Sequence, residues 1–90
     1  MMRFLILLEE TEAGFAVQVP DLAIVTAGDS IETAKRAAKE AIRINLDAYQ
    51  EVGKQIPEPQ PVSRHLENPE FRELLFAYVD VPESKGEIAA

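Results

Sequence analysis

The sequence has no cysteine, one histidine, four glycines and no apolar run near membrane-spanning length. Without cysteine there is no disulfide and no thiolate metal site, a composition that fits a reducing cytoplasm and sets cytoplasmic localisation as the expectation. The single histidine, His65, has no second histidine or cysteine near it, which argues against a zinc site and leaves an ordinary surface histidine as the expected role. A membrane helix needs roughly 18 or more consecutive apolar residues, and none are found. The N-terminal Met1-Met2-Arg3 leads into FLILL, but Glu9 and Glu10 follow with no small-residue cleavage site, so no signal peptide is expected. Gly53 and Gly86 are isolated, which rules out a phosphate-cradling glycine loop. No internal repeat or low-complexity tract is present.

The chain has 90 residues, enough for one domain, and 16 acidic against 9 basic residues give a formal charge of −7. The excess is larger in residues 46–90 than in 1–45. Such a surface is a poor partner for free nucleic acid, whose binding rests on neutralising phosphates with lysine and arginine. It suits a basic protein, because opposite charge steers encounter.

Residues 3–9, RFLILLE, are apolar on both faces, as in a strand covered on each side. TEAG supplies a turn. Phe15, Val17 and Val19 then alternate with Ala16 and Gln18, which predicts a second strand with Phe15, Val17 and Val19 facing inward. Pro20 cannot donate to a ladder and ends it. Residues 22–27, LAIVTA, predict a third short strand.

Gly28-Asp29-Ser30 stops that strand and starts a helix. Asp29 with Glu32 has the spacing of a capping box, and Ser30 is the alternative N-cap. Ile31, Ala34, Ala38, Ala41, Ile42, Asn45, Tyr49 and Val52 share one helical stripe, with charged residues opposite. Arg36–Glu40 and Arg43–Asp47 are spaced for i,i+4 ion pairs. The three alanines let the helix lie close to the sheet. Asn45 interrupts the stripe and is expected to be half-buried and bonded to a backbone group. Gly53 fits the C-terminal stop.

Pro57, Pro59 and Pro61 make residues 54–63 an extended connector. Asn68-Pro69-Glu70 suits the start of one or two helical turns. Residues 75–81, LFAYVDV, predict a fourth strand, closed by Pro82. The expected organisation is one α+β domain over residues 1–82, a two-layer β-β-β-α-β sandwich with one long helix on a three- to four-stranded sheet. Residues 83–90 are expected to form a flexible tail.

No nucleophile has a base partner at a recognisable spacing. The β-β-β-α-β order resembles that of ribonuclease-H-type nucleases, which hold divalent metal on sheet carboxylates. The acids of the first strand, Glu9 and Glu10, come only at its end, so a metal-held nuclease is disfavoured and no catalytic residue, metal or cofactor is expected. One helix covers one sheet face, leaving strand 1 to offer either Phe4, Ile6 and Leu8 or Leu5 and Leu7 to the other side, beside Ala16. Phe4, Ile6, Leu8 and Ala16 are the expected oligomer interface, unless residues 62–76 fold back over that face.

Several spaced motifs identify a family resemblance. They are Val19-Pro20-Asp21-Leu22; Thr26, Gly28, Asp29 and Ser30; Ala34, Ala38 and Ala41; Gly53, Ile56, Pro57, Glu58 and Pro59; and Tyr78-Val79-Asp80-Val81. In this order they resemble the HicB-like antitoxin family over about residues 3–81. The family commonly has a Pro-Gly pair and a small residue after the "PDL", where this chain has Ala23-Ile24-Val25. Many such antitoxins continue into a DNA-binding module. This chain stops about nine residues after the fourth strand, so operator binding is not carried over.

The resemblance implies a degenerate ribonuclease-H-like fold without nuclease activity. It also implies a homodimer or homotetramer and a small basic HicA-like toxin that cleaves mRNA as partner. Glu9, Glu10 and Glu12 of the first hairpin, with Glu51 at the helix end, are the expected partner-contacting residues. A stand-alone oligomeric scaffold or small-ligand module is the alternative from another class.

Overall fold

The long apolar run of the first strand sets the architecture. In the computed structural model, which describes residues 2–81, β1 (Met2–Thr11) turns at Glu12-Ala13 into β2 (Gly14–Val19). A second turn leads to β3 (Ile24–Gly28), then α1 (Ile31–Glu51), a short helix α2 (Val62–His65), a 3₁₀ helix (Pro69–Glu73) and β4 (Leu75–Val81). The sheet is antiparallel throughout, in the order β3-β2-β1-β4, so β1 has a neighbour on each side. This is the expected β-β-β-α-β order, with two short helical turns inserted before β4. The expected tail at 83–90 lies outside the described residues.

The register decides which side chains meet α1. Phe4 pairs with Val79, Met2 with Val81 and Leu8 with both Val17 and Leu75, so the even-numbered positions of β1 face the helix. Phe4, Ile6 and Leu8 join Val17, Val19, Val79, Val81, Ala34, Ala38, Ile42 and Leu46 in one buried core. Each fully buried large side chain contributes roughly 1.5–3 kcal/mol. The inward set Phe15, Val17 and Val19 is as the alternation predicts, with Phe15 packed against the core's margin.

The expected interface quartet is therefore corrected. Phe4, Ile6 and Leu8 lie beneath α1, whereas Ala16 pairs with Glu9 and shares the opposite face with Leu5 and Leu7. Strand pleating separates odd from even positions, so the four residues cannot form one surface. Leu5 and Leu7 are themselves only 2% and 1% exposed, so that face is not bare along β1.

Two further expectations move. The third strand begins at Ile24, because Asp21-Leu22-Ala23 forms a turn in which the Leu22 amide donates to the Val19 carbonyl at 3.1 Å and the Leu22 side chain enters the core. On α1 the buried ridge is Ala34, Ala38, Ile42 and Leu46, every fourth residue. Ile31 and Val52, at the two ends of the predicted stripe, are exposed.

Ser30 caps α1 and closes a capping box with Thr33, so the Asp29–Glu32 spacing is not the one used. The Thr33 amide donates to Ser30 Oγ at 3.1 Å and the Ser30 amide to Thr33 Oγ1 at 2.9 Å. Arg36 pairs back to Glu32 at 3.5 Å in place of the expected Glu40. At the other end Gly53 takes φ 71°, the left-handed conformation of a C′ glycine, as predicted. Gly28 has a separate role. A Cβ there would run into the backbone of Ala34, so its absence lets the first turn of α1 sit directly on the end of β3.

Candidate partner-binding surfaces

Charge and apolar surface are arranged in three places. The first is the β1–β2 hairpin, where Glu9, Glu10 and Glu12 are all exposed. Glu9 points to the face of Leu5 and Leu7, Glu10 to the face of Phe15, and Glu12 sits in the turn. Three carboxylates thus project around one tip. Glu51 is also exposed but closes α1, roughly 30 Å along the helix axis from its first residue. The hairpin lies at the opposite end, since Gly14 abuts Gly28 and Asp29 where α1 starts. The structure groups Glu9, Glu10 and Glu12, and leaves Glu51 apart.

The second place is the solvent side of α1. Lys35, Arg36, Lys39 and Arg43 fall within nine residues and form a basic ridge on an otherwise acidic chain. Arg36, Lys39 and Arg43 line one shallow groove with Glu40 and Asp47, and Lys35, Arg36 and Lys39 line another with Tyr78, Val79 and Asp80 of β4. Summed charge hides this segregation, and the clustering of bases in the sequence is the signal that shows it. At the margin of β4, Arg3 Nε donates to Asp80 Oδ1 at 2.9 Å, and its guanidinium lies 5.8 Å from the centre of the Tyr78 ring. Arg3 lowers the Asp80 carboxyl below its ordinary value, first through that hydrogen bond, and the pairing raises Arg3 in turn.

The third is the β2–β3 turn. Asp21 Oδ1 accepts hydrogen bonds from His65 Nε2 and from the Gln60 amide, both at 3.0 Å. The side chains of His65 and Asp21 are only 11% and 2% exposed. His65 is therefore not the surface histidine expected from its isolation in sequence. Toward an ionised carboxylate, which only accepts, Nε2 is the donor. Asp21 Oδ2 is buried without a partner among the described residues, and so is Asn45 Oδ1 on α1. The expected backbone bond of Asn45 is thus absent at that oxygen. Ala23, two residues after Asp21, has φ 54°. This cluster ties the proline-rich connector to the sheet, and nothing in the sequence spacing announced the pairing of residues 44 positions apart.

Among the described residues no group of three or more histidines or carboxylates converges as metal ligands, and no helix is long and apolar enough to cross a membrane.

Comparison with known proteins places this arrangement. Residues 4–88 match the model of the HicB-like antitoxin of bacterial toxin–antitoxin systems. The chain belongs to the HicB-like antitoxin family. A relative in Haemophilus phage HP1 (strain HP1c1), an uncharacterized 14.9 kDa protein in the rep-hol intergenic region, is 31% identical over 81 residues, covering 89% of this chain and 61% of that protein.

The Burkholderia pseudomallei antitoxin HicB superposes with a TM-score of 0.80 at 26% identity, covering 94% of this chain and 65% of that one. Its N-terminal domain alone gives 0.81 at 25% identity, covering 90% of this chain and 99% of that domain. The present chain thus spans less than two thirds of the phage relative and of whole HicB, and nearly all of the HicB N-terminal domain. A HicA3 and HicB3 toxin–antitoxin complex contains a chain of the same fold, with TM-score 0.74 at 24% identity, covering 90% of this chain and 99% of that one.

The family's shared signature now has a physical reading. Asp21 of "PDL" is the buried acceptor of the turn, and Gly28 and Ser30 seat and cap α1. These are structural duties.

Proposed function

We propose that this HicB-like protein is the antitoxin of a small basic HicA-like ribonuclease toxin and neutralises it by masking its surface, without catalysis of its own. The observation that carries this reading is the match of nearly the entire chain to the N-terminal domain of antitoxin HicB. A neighbour of the same fold occurs in a HicA3–HicB3 complex, and the acidic hairpin supplies a surface of the right sign for a basic partner. Glu9, Glu10 and Glu12 make the first contacts, and Glu51 acts as a separate outlying charge.

The element order supports a degenerate ribonuclease-H-like arrangement. Residues Phe4–Leu8 of β1 carry no carboxylate, where a nuclease of that kind would need a metal ligand. The protein works in the cytoplasm, where its toxin would meet mRNA.

Co-expression with a short basic protein encoded beside it tests the proposal. Growth is rescued and the two proteins co-purify. Glu9→Lys, Glu10→Lys and Glu12→Lys together weaken the complex and steepen toxicity, while the triple variant keeps its circular dichroism. Unchanged toxicity and no complex with the wild-type protein would refute the antitoxin role. A complex indifferent to the triple reversal would move the contact elsewhere.

A further inference from the structure

β4 is the outermost strand of the sheet, so one side of its backbone has no strand partner among the described residues. Edge strands of natural proteins are usually blunted by lysine, proline, a bulge or a covering element, because an open edge recruits another strand. β4 has none of the blunting residues. Its sequence LFAYVDV has one charge, Asp80, and that is bonded to Arg3. Within four consecutive residues it exposes Leu75 by 56%, Phe76 by 52% and Tyr78 by 42%. The opposite edge, β3, is shorter and exposes one large apolar side chain, Val25.

The surroundings of β4 specify the occupant. Along this edge, Lys35, Arg36 and Lys39 of α1 form a groove with Tyr78, Val79 and Asp80, Val79 from the helix face of β4 and Tyr78 and Asp80 from the other. Arg36 is engaged by Glu32 and Asp80 by Arg3, whereas Lys35 and Lys39 make no close ion pair among the described residues, Lys39 acting on Asp80 only through its charge across the groove. A strand laid along β4 sends alternate side chains to the two faces. On the helix side they meet Lys35 and Lys39, and on the other they lie beside Phe76 and Tyr78.

A second copy of this chain does not satisfy that pattern. Pairing β4 with its own symmetry mate would bring two lysine-rich ridges together. The helix-side residues of β4 itself, Leu75, Ala77, Val79 and Val81, offer no carboxylate.

We propose that the outer edge of β4 is a strand-addition site for an extended segment of another protein in which acidic and apolar residues alternate. Main-chain hydrogen bonds to β4 supply affinity and the lysine ridge supplies specificity. The site is separate from the acidic hairpin and favours a partner of the opposite charge from a basic toxin. It holds or fails independently of the antitoxin reading.

The test uses a fluorescently labelled peptide as long as β4, seven residues, alternating valine and glutamate, with a valine–lysine peptide as control. Anisotropy should rise on titration with the protein for the glutamate peptide alone. Lys35→Glu with Lys39→Glu should weaken binding about tenfold or more. Lys39 is exposed and Lys35 half-buried on the flank of α1, and neither belongs to the core, so the variant keeps its fold, and circular dichroism checks this. Backbone amides of β4 should gain exchange protection on binding.

Equal binding of the lysine peptide, no binding of the glutamate peptide, or indifference to the double reversal each overturns the proposal. Sedimentation of the protein alone closes the remaining route. A dimer dissolved by Phe76→Lys and Tyr78→Lys would assign the edge to a second copy and overturn it as well.

Discussion

His65 Nε2 lies 3.0 Å from Asp21 Oδ1, and the two side chains are 11% and 2% exposed. Residues 44 positions apart are thereby joined where the β2–β3 turn meets the connector, and the Gln60 amide shares the same oxygen. Removing a buried acceptor leaves its donors unsatisfied, which is costly. Asp21→Ala should lower stability by about 2 kcal/mol and speed exchange of the Gln60 amide. Asp21→Asn keeps an acceptor oxygen and should cost less. Urea denaturation and amide exchange read both effects, and equal stability of wild type and Asp21→Ala would show that the clasp holds nothing.

Ala23 follows in the same turn at φ 54°, where the Cβ of an L-residue is crowded. Relief of that strain by glycine is partly offset by the greater freedom of the unfolded chain. Ala23→Gly should therefore raise stability modestly, by about 0.5 kcal/mol, and Ala23→Val should lower it because a β-branched residue resists this conformation. Melting temperatures of the two variants should move in opposite directions.

Ser30 and Thr33 cap α1 reciprocally. Ser30→Ala should cost about 1 kcal/mol, while Asp29→Ala, one residue earlier, leaves the cap intact. If thermal denaturation found Asp29→Ala the more damaging, the cap would belong to Asp29.

Arg3 and Asp80 give a pH dependence of defined sign. The Asp80 carboxyl is lowered in the folded state, chiefly by its hydrogen bond from Arg3. Its contribution is present above the ordinary aspartate range and is lost as the pH falls through the lowered value. Both side chains are substantially exposed, so salt screens the pair and the effect on stability is small. An NMR titration should show Asp80 titrating below ordinary aspartates, and Arg3→Gln should return it upward. An unmoved titration in that variant would remove Arg3 as the cause.

Much of the fold is legible in residue order. The alternation Phe15, Val17, Val19 fixes the inner face of β2, Ala34 and Ala38 mark the contact ridge of α1 while Ala41 falls beside it, and Pro20 and Gly28 end their strands. These are local rules of periodicity and backbone freedom, and each acts over a few residues. The boundaries that shifted depend on more distant partners. Leu22 leaves the predicted strand because its side chain joins the core beneath α1, and Val52 leaves the predicted stripe because the buried ridge of α1 runs every fourth residue and ends at Leu46.

The candidate surfaces divide in the same way. The acids of the first hairpin lie close in sequence and could be named from it. Glu51 could not be excluded from that group without the length and direction of α1.

By itself the sequence determined an acidic, cysteine-free α+β chain with a spaced signature, because composition, periodicity and capping are properties of neighbouring residues. Only the tertiary structure decided three other matters. Strand register sent Phe4, Ile6 and Leu8 under the helix and Ala16 to the other face. Sheet order left β4 at an edge beside Lys35 and Lys39. Closure of the connector turned an isolated histidine into the partner of a buried aspartate. Register, edge position and long-range hydrogen bonding exist only after distant segments have met, so no local pattern encodes them.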